Sequence, residues 1–159
     1  MILRALLFIR LPIVLIVIWT VMRFLMGTAF NQPYAPRGNA VFSIINLTVI
    51  SAIYYGALSK RIGHFSWIGT ILIGVLIAEV AQVMIFSATG LSFMLGRTTY
   101  FTHWDALNLP EGTVPTMGQA MGIRAMAFIF APISGIVTVV VGRLLAGLAP
   151  GAKAGAAAE

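Results

Sequence analysis

The chain contains no cysteine and very little charge: of its 159 residues only 9% are Asp, Glu, Lys or Arg, and the acids number four. Without cysteine there is no disulfide framework, no thiolate metal site and no thiol nucleophile. So little charge, with 60% hydrophobic residues and a mean hydropathy of +0.99, rules out a water-soluble globular domain and makes a bilayer the expected solvent. Long polar stretches are missing as well. The longest, residues 97–119, is too short to enclose a core of its own, so no separate soluble domain is expected.

Recognisable reaction motifs are also absent. Gly112, Gly118 and Gly122 lack the preceding strand and the Lys-Ser/Thr pair of a phosphate loop. Neither the paired-His helix of a metalloprotease nor a Gly-x-Ser-x-Gly elbow occurs, which argues against an enzyme. Polar residues do not recur at matching positions in the two halves, so an inverted-repeat transporter has no support. No cofactor and no metal site are expected.

What is present is a series of apolar runs, which predicts an all-α integral membrane protein: a four-transmembrane-helix bundle in one domain. The spans fall at about residues 5–26, 40–58, 67–88 and 120–145, followed by an Ala/Gly-rich tail, 149–159, expected to be disordered. Arg23 separates the first run from any cleavable small-residue site, so that run is expected to stay as a helix. The third span tilts or breaks near Gly90, and Pro132 kinks the fourth.

The ten basic residues give a net charge of +6, yet they stand singly at the ends of apolar runs, and only Lys60 and Arg61 are adjacent. That pattern fits lipid headgroup anchors and excludes nucleic acid as a partner. The short loop after Leu58, with Lys60 and Arg61 and no acid, places both termini in the cytoplasm of a bacterial inner (plasma) membrane. Arg4 and Arg23 are 19 positions apart, as are Arg124 and Arg143, a helical rise of ~28 Å that matches the hydrocarbon thickness. These four arginines mark the edges of the first and fourth spans.

Two charges escape that scheme. Arg10 lies ~9 Å inside the edge marked by Arg4, from where its side chain can snorkel. Glu79, twelve positions past Trp67, lies ~18 Å deep, near the midplane, where a short carboxyl has to be partnered or protonated. Gln82, one turn on, and Asn46 on the second span are candidate partners, giving an intramembrane polar site of Glu79, Gln82, Asn46 and Arg10. Ser43, Thr48, Ser51 and Tyr55 extend a polar seam on the second span. Small residues at four-residue spacing, Thr70, Gly74 and Ala78 on the third span and Ala127, Ala131 and Gly135 on the fourth, suit close packing within the chain or between chains.

The loop Tyr100–Asp105 holds an aromatic cluster suited to the headgroup belt, with Thr102 and Asp105 as a capping pair. His103, Asp105 and Glu111 form a second, weaker candidate cluster for acid–base chemistry, though without the spacing of a zinc site. The reading with most support is a non-enzymatic accessory or oligomeric membrane component with its polar site around Glu79. A small transporter or channel for protons, ions or a solute, using the same carboxyl, is the alternative. Its expected partners are the lipid bilayer and a homo-oligomer or larger membrane complex.

Overall fold

The computed structural model describes residues 1–30 and 43–148. These form an all-helical structure: α1 (Ile2–Phe8), α2 (Arg10–Thr28), α3 (Ile44–Arg61), α4 (Trp67–Met94) and α5 (Met117–Leu148), with two short 3₁₀ turns between α4 and α5. Three of the helices, α2, α4 and α5, are long and apolar enough to cross a membrane. The expected second span corresponds to α3, whose 18 residues include Asn46, Lys60 and Arg61 and which is not among those three. Residues 40–42 of that span and the Ala/Gly tail lie outside the described residues.

Local sequence sets the helix boundaries. Pro12 has no N–H to give the Phe8 carbonyl, and the rod breaks at Ile9, which sits in the bridge region at φ −96°, ψ 16°. The N–H of Ile13 still reaches the Ile9 carbonyl at 3.2 Å, so α1 and α2 follow one another as a single bent element. Ser43 and Ser66 cap α3 and α4, each accepting from the N–H three residues on. α4 then runs unbroken through Gly90 and stops at a Schellman turn. There Gly96 takes φ +60°, its N–H bonds the Phe93 carbonyl, and the Arg97 N–H bonds that of Ser92. α5 continues through Pro132.

α4 is the central element and packs against α1, α2, α3 and α5. Its tightest contact is with α5, where Gly74 and Gly135 bring backbone against backbone. A Cβ on Gly135 would meet the Gly74 carbonyl and lie 2.9 Å from the Ala78 Cβ. Further along the same face of α5, Gly142 rests on the Ile53 carbonyl and Gly56 on that of Val139. Gly74, Ala78 and Gly135 are therefore used inside the chain, and with Gly56 and Gly142 they let three helices approach closely, whereas Ala127 and Ala131 line a groove between α3, α4 and α5.

Both ends of the bundle are tied by arginine. At one end Arg4 donates to the Gly63 carbonyl (2.8 Å) and lies over the Phe65 ring. Arg143 donates to the carbonyls of Phe65 (3.1 Å) and Ser66 (2.9 Å) and to the Thr70 hydroxyl, and covers the Trp67 ring. Thr70 in turn bonds Ser59 at 2.9 Å, both hydroxyls fully buried. At the opposite end Arg23 stacks on Tyr100, 3.6 Å from its ring centre, and Arg124 donates to the Phe101 carbonyl at 3.3 Å. Arg4 pairs with Arg143, and Arg23 with Arg124, at matching levels, in keeping with the 19-residue spacing. These groups hold protein carbonyls and ring faces rather than serving only as headgroup anchors, because the segments between helices bring carbonyls within their reach.

Replacing Gly135 with Val should force the α4–α5 crossing apart and cost about 1–3 kcal/mol or more. Thermal unfolding in mild detergent, followed by near-ultraviolet circular dichroism, checks this. Gly147→Ala, where the added methyl meets open space, should leave the midpoint unchanged.

Candidate functional site

The buried stripe of α4, carrying Ile73, Ile77, Ala81 and Ile85, faces the rest of the bundle. At 100° per residue Glu79 falls roughly on the opposite side, sharing its face with Leu72, Leu76 and the half-exposed Val83. Glu79 is only partly covered and has no hydrogen bond or ion pair with any described residue. The central helix thus turns its single acid outward, away from the packing that Gly74 and Ala78 create.

The other members of the expected polar site are not gathered around it. Gln82, 60° further round the helix, lines a groove of about 270 Å³ between α3, α4 and α5 together with Thr48, Ser134 and Thr138. Glu79 does not line that groove. Asn46 is exposed in the first turn of α3, with its backbone N–H held by Ser43. Arg10 is exposed on α2 and makes no ion pair with Glu79. Hydroxyls on a helix readily find a carbonyl one turn back. Thr48 bonds the Ile44 carbonyl at 2.7 Å and Thr138 that of Ser134, so neither reaches towards Glu79.

The loop cluster is also rearranged. The capping pair is Thr99 with Thr102, one position-set earlier than the expected Thr102 with Asp105: the Thr99 hydroxyl accepts from the Phe101 N–H (3.2 Å), and the Thr102 hydroxyl accepts from the Thr99 N–H (3.0 Å). Thr99 also bonds Ser92 at 2.7 Å and fits against Gly27, so this turn is stitched to both α4 and α2. Phe101 is fully buried, a plug under the loop rather than a member of a headgroup belt. Arg124 bonds its carbonyl, while the Arg124 Nε is buried with no hydrogen-bond partner.

His103 and Asp105 do adjoin, through the Asp105 N–H donating to His103 Nδ1 at 3.3 Å. That bond leaves the neutral ring's proton on Nε2. The imidazole stacks against Trp104, 5.0 Å between centres, and its burial lowers the His103 pKa below the ordinary histidine value. Glu111 stays exposed in the next turn. Among the described residues no three His, Asp or Glu side chains converge as metal ligands. What sequence reasoning missed here is the structural role of Thr99 and Phe101. The equal spacing of Arg23 and Arg124 was the one signal that both would meet the chain at this level.

Compared with protein-family models, curated proteins and solved structures, the chain matches none of them.

Because the His103 pKa is depressed in the folded state, its neutral form is the one folding favours. Its contribution to stability is complete above the unfolded value of ~6.5 and lost as pH falls from there through the lower, folded value. Proton NMR of the imidazole against pH should show titration below ~6.5, and His103→Gln should flatten stability across that window.

Proposed function

We propose that the chain is a four-span membrane protein that works by assembly: a non-enzymatic accessory or oligomeric component of a bacterial plasma membrane, contacting its partner through the outward face of α4 around Glu79. The observation that carries this reading is the carboxyl on that face, which has no partner among the described residues. It lies ~18 Å from Trp67, and hydrocarbon offers it neither water nor a counter-charge. A group from another subunit that covers and bonds it removes that cost, and an intramembrane acid on an outward face is otherwise expensive to keep.

Chain direction supports the fourth span. Arg4 meets Gly63 at one end and Gly27 meets Thr99 at the other, so α1–α2 and α4 run the same way and the chain between them has to return across the bundle. α3 is the helix available to do so, and its weaker apolarity is tolerable because it packs against α4 and α5. Arg4, Lys60, Arg61 and Arg143 at one end, against Arg23, Arg97 and Arg124 at the other, favour the first as the cytoplasmic end. A path for protons, ions or a solute would use the same carboxyl, but the groove between α3, α4 and α5 is reached by Gln82 and not by Glu79.

Photo-crosslinkers placed at the exposed Ile68 and Val83 in intact membranes should trap a second polypeptide, whereas one at inward-facing Ile77 should not. Glu79→Gln should weaken the assembly roughly three- to tenfold, in line with one polar contact of about 1 kcal/mol between membrane helices. A monomer that gives no adduct from either outward position would sink the assembly reading. Loss of proton flux in Glu79→Gln liposomes would favour transport instead.

A further inference from the structure

At the Tyr100 end of the bundle three pieces of chain enclose a cleft of about 420 Å³: the last turn of α4 with its Schellman turn, the 3₁₀ region, and the approach to α5. Phe93 and Trp104 supply aromatic wall, Thr98 and Thr113 supply hydroxyls, and Arg97 and His103 supply nitrogen donors. Asp105 and Glu111, the only acids of this loop, do not line it. We propose that this cleft is a binding site for a phosphate ester, held by the Arg97 guanidinium.

Arg97 is suited to that task in three respects. Its backbone is fixed, since its own N–H closes the Schellman turn on Ser92 and the adjacent Gly96 takes the left-handed conformation that the turn demands. Its side chain is exposed and has no partner among the described residues, unlike Arg23 and Arg124 nearby, which are engaged by Tyr100 and Phe101. A guanidinium left unpaired beside hydroxyls, with no carboxylate lining the cleft, presents the paired N–H geometry that two phosphate oxygens accept. Another part of the lining is also settled: His103 is held through Nδ1 by the Asp105 N–H and stacked on Trp104. Polar groups set in a lining that also carries aromatic and apolar side chains are in keeping with a small-molecule site.

Depth narrows the source of the ester to two. α4 has 28 residues and rises ~42 Å, more than the ~30 Å hydrocarbon thickness, so a cleft at its far end stands at headgroup depth when its start is at the opposite edge. A phosphate ester arrives there either as the headgroup of a lipid or as a soluble ester from the aqueous side.

The test uses the full chain in nanodiscs of digalactosyldiacylglycerol, a bilayer lipid that carries no phosphate, with Trp19→Phe and Trp67→Phe leaving Trp104 as the only tryptophan. In one arm glycerol-3-phosphate is titrated from solution, and in the other phosphatidylglycerol replaces part of the bilayer. A saturable change in Trp104 emission is expected in at least one arm, and the arm that gives it identifies the source. Sodium chloride at matched ionic strength should give no change. Arg97→Gln should weaken the response about tenfold, the effect of losing a charge-assisted hydrogen-bond pair, while Arg97→Lys recovers part of it. Arg61→Gln, a charge loss at the other end of the bundle, should leave the response intact. Thermal stabilisation of the chain with its native tryptophans by the same two probes is the second readout. No saturable response in either arm, or an undiminished one in Arg97→Gln, overturns the proposal.

Discussion

Helices in a bilayer gain little from hiding apolar side chains from one another, because lipid chains solvate leucine as well as another leucine does. What drives them together is close van der Waals contact and polar bonding, and in this chain the crossing of Gly74 on Gly135 provides the first. With no side chain between them, the α4 and α5 backbones meet, and Gly56 and Gly142 extend the same contact to α3. The rest of the arrangement depends on this. Once α4 is pressed against α5 through Gly74 and Ala78, the rotation of α4 about its own axis is fixed, and with it the direction in which every other residue of the helix points.

Polar bonding provides the second force, concentrated at the ends. Arg143 gathers the carbonyls of Phe65 and Ser66 and the hydroxyl of Thr70, while Arg124 takes the carbonyl of Phe101. The Phe65 and Ser66 carbonyls lie at the start of α4 and that of Phe101 in the loop, and the Ser66 carbonyl also accepts from the Thr70 N–H. An arginine with five donors on a long stem is the side chain best able to reach such groups from the end of a neighbouring helix. The same constraint explains why Thr48, Thr89 and Thr138 bond back to their own helices: an apolar surrounding leaves a hydroxyl no cheaper partner than the carbonyl one turn away.

Much of this architecture was legible in the sequence, because depth is a one-dimensional quantity and 1.5 Å per residue measures it. The apolar runs located α2, α4 and α5, and the 19-residue arginine spacings matched levels that the structure joins. Azimuth is different. Whether Glu79 looks inward or outward depends on which face of α4 the glycines occupy, and Gly74 and Ala78 could be read as packing ridges without saying that Glu79 lay behind them. The break at Ile9 was present in Pro12, whose missing N–H was there to be read. Phe101 resembled any interfacial aromatic until the Thr99 turn carried it beneath the loop.

Glu79 and Gln82 show how far one turn of helix separates two roles. Three residues apart they look like one polar patch, yet the 60° between them sends Gln82 into the groove with Thr138 and leaves Glu79 beside Leu76 and Val83. An amide is tolerable in a groove whose walls are already hydroxyl-bearing. A carboxyl at the same depth on an apolar face is not, because among the described residues it has no donor to offset desolvation. The rotation of α4 that seats Gly74 and Ala78 against α5 is thus the same rotation that leaves Glu79 off the buried stripe.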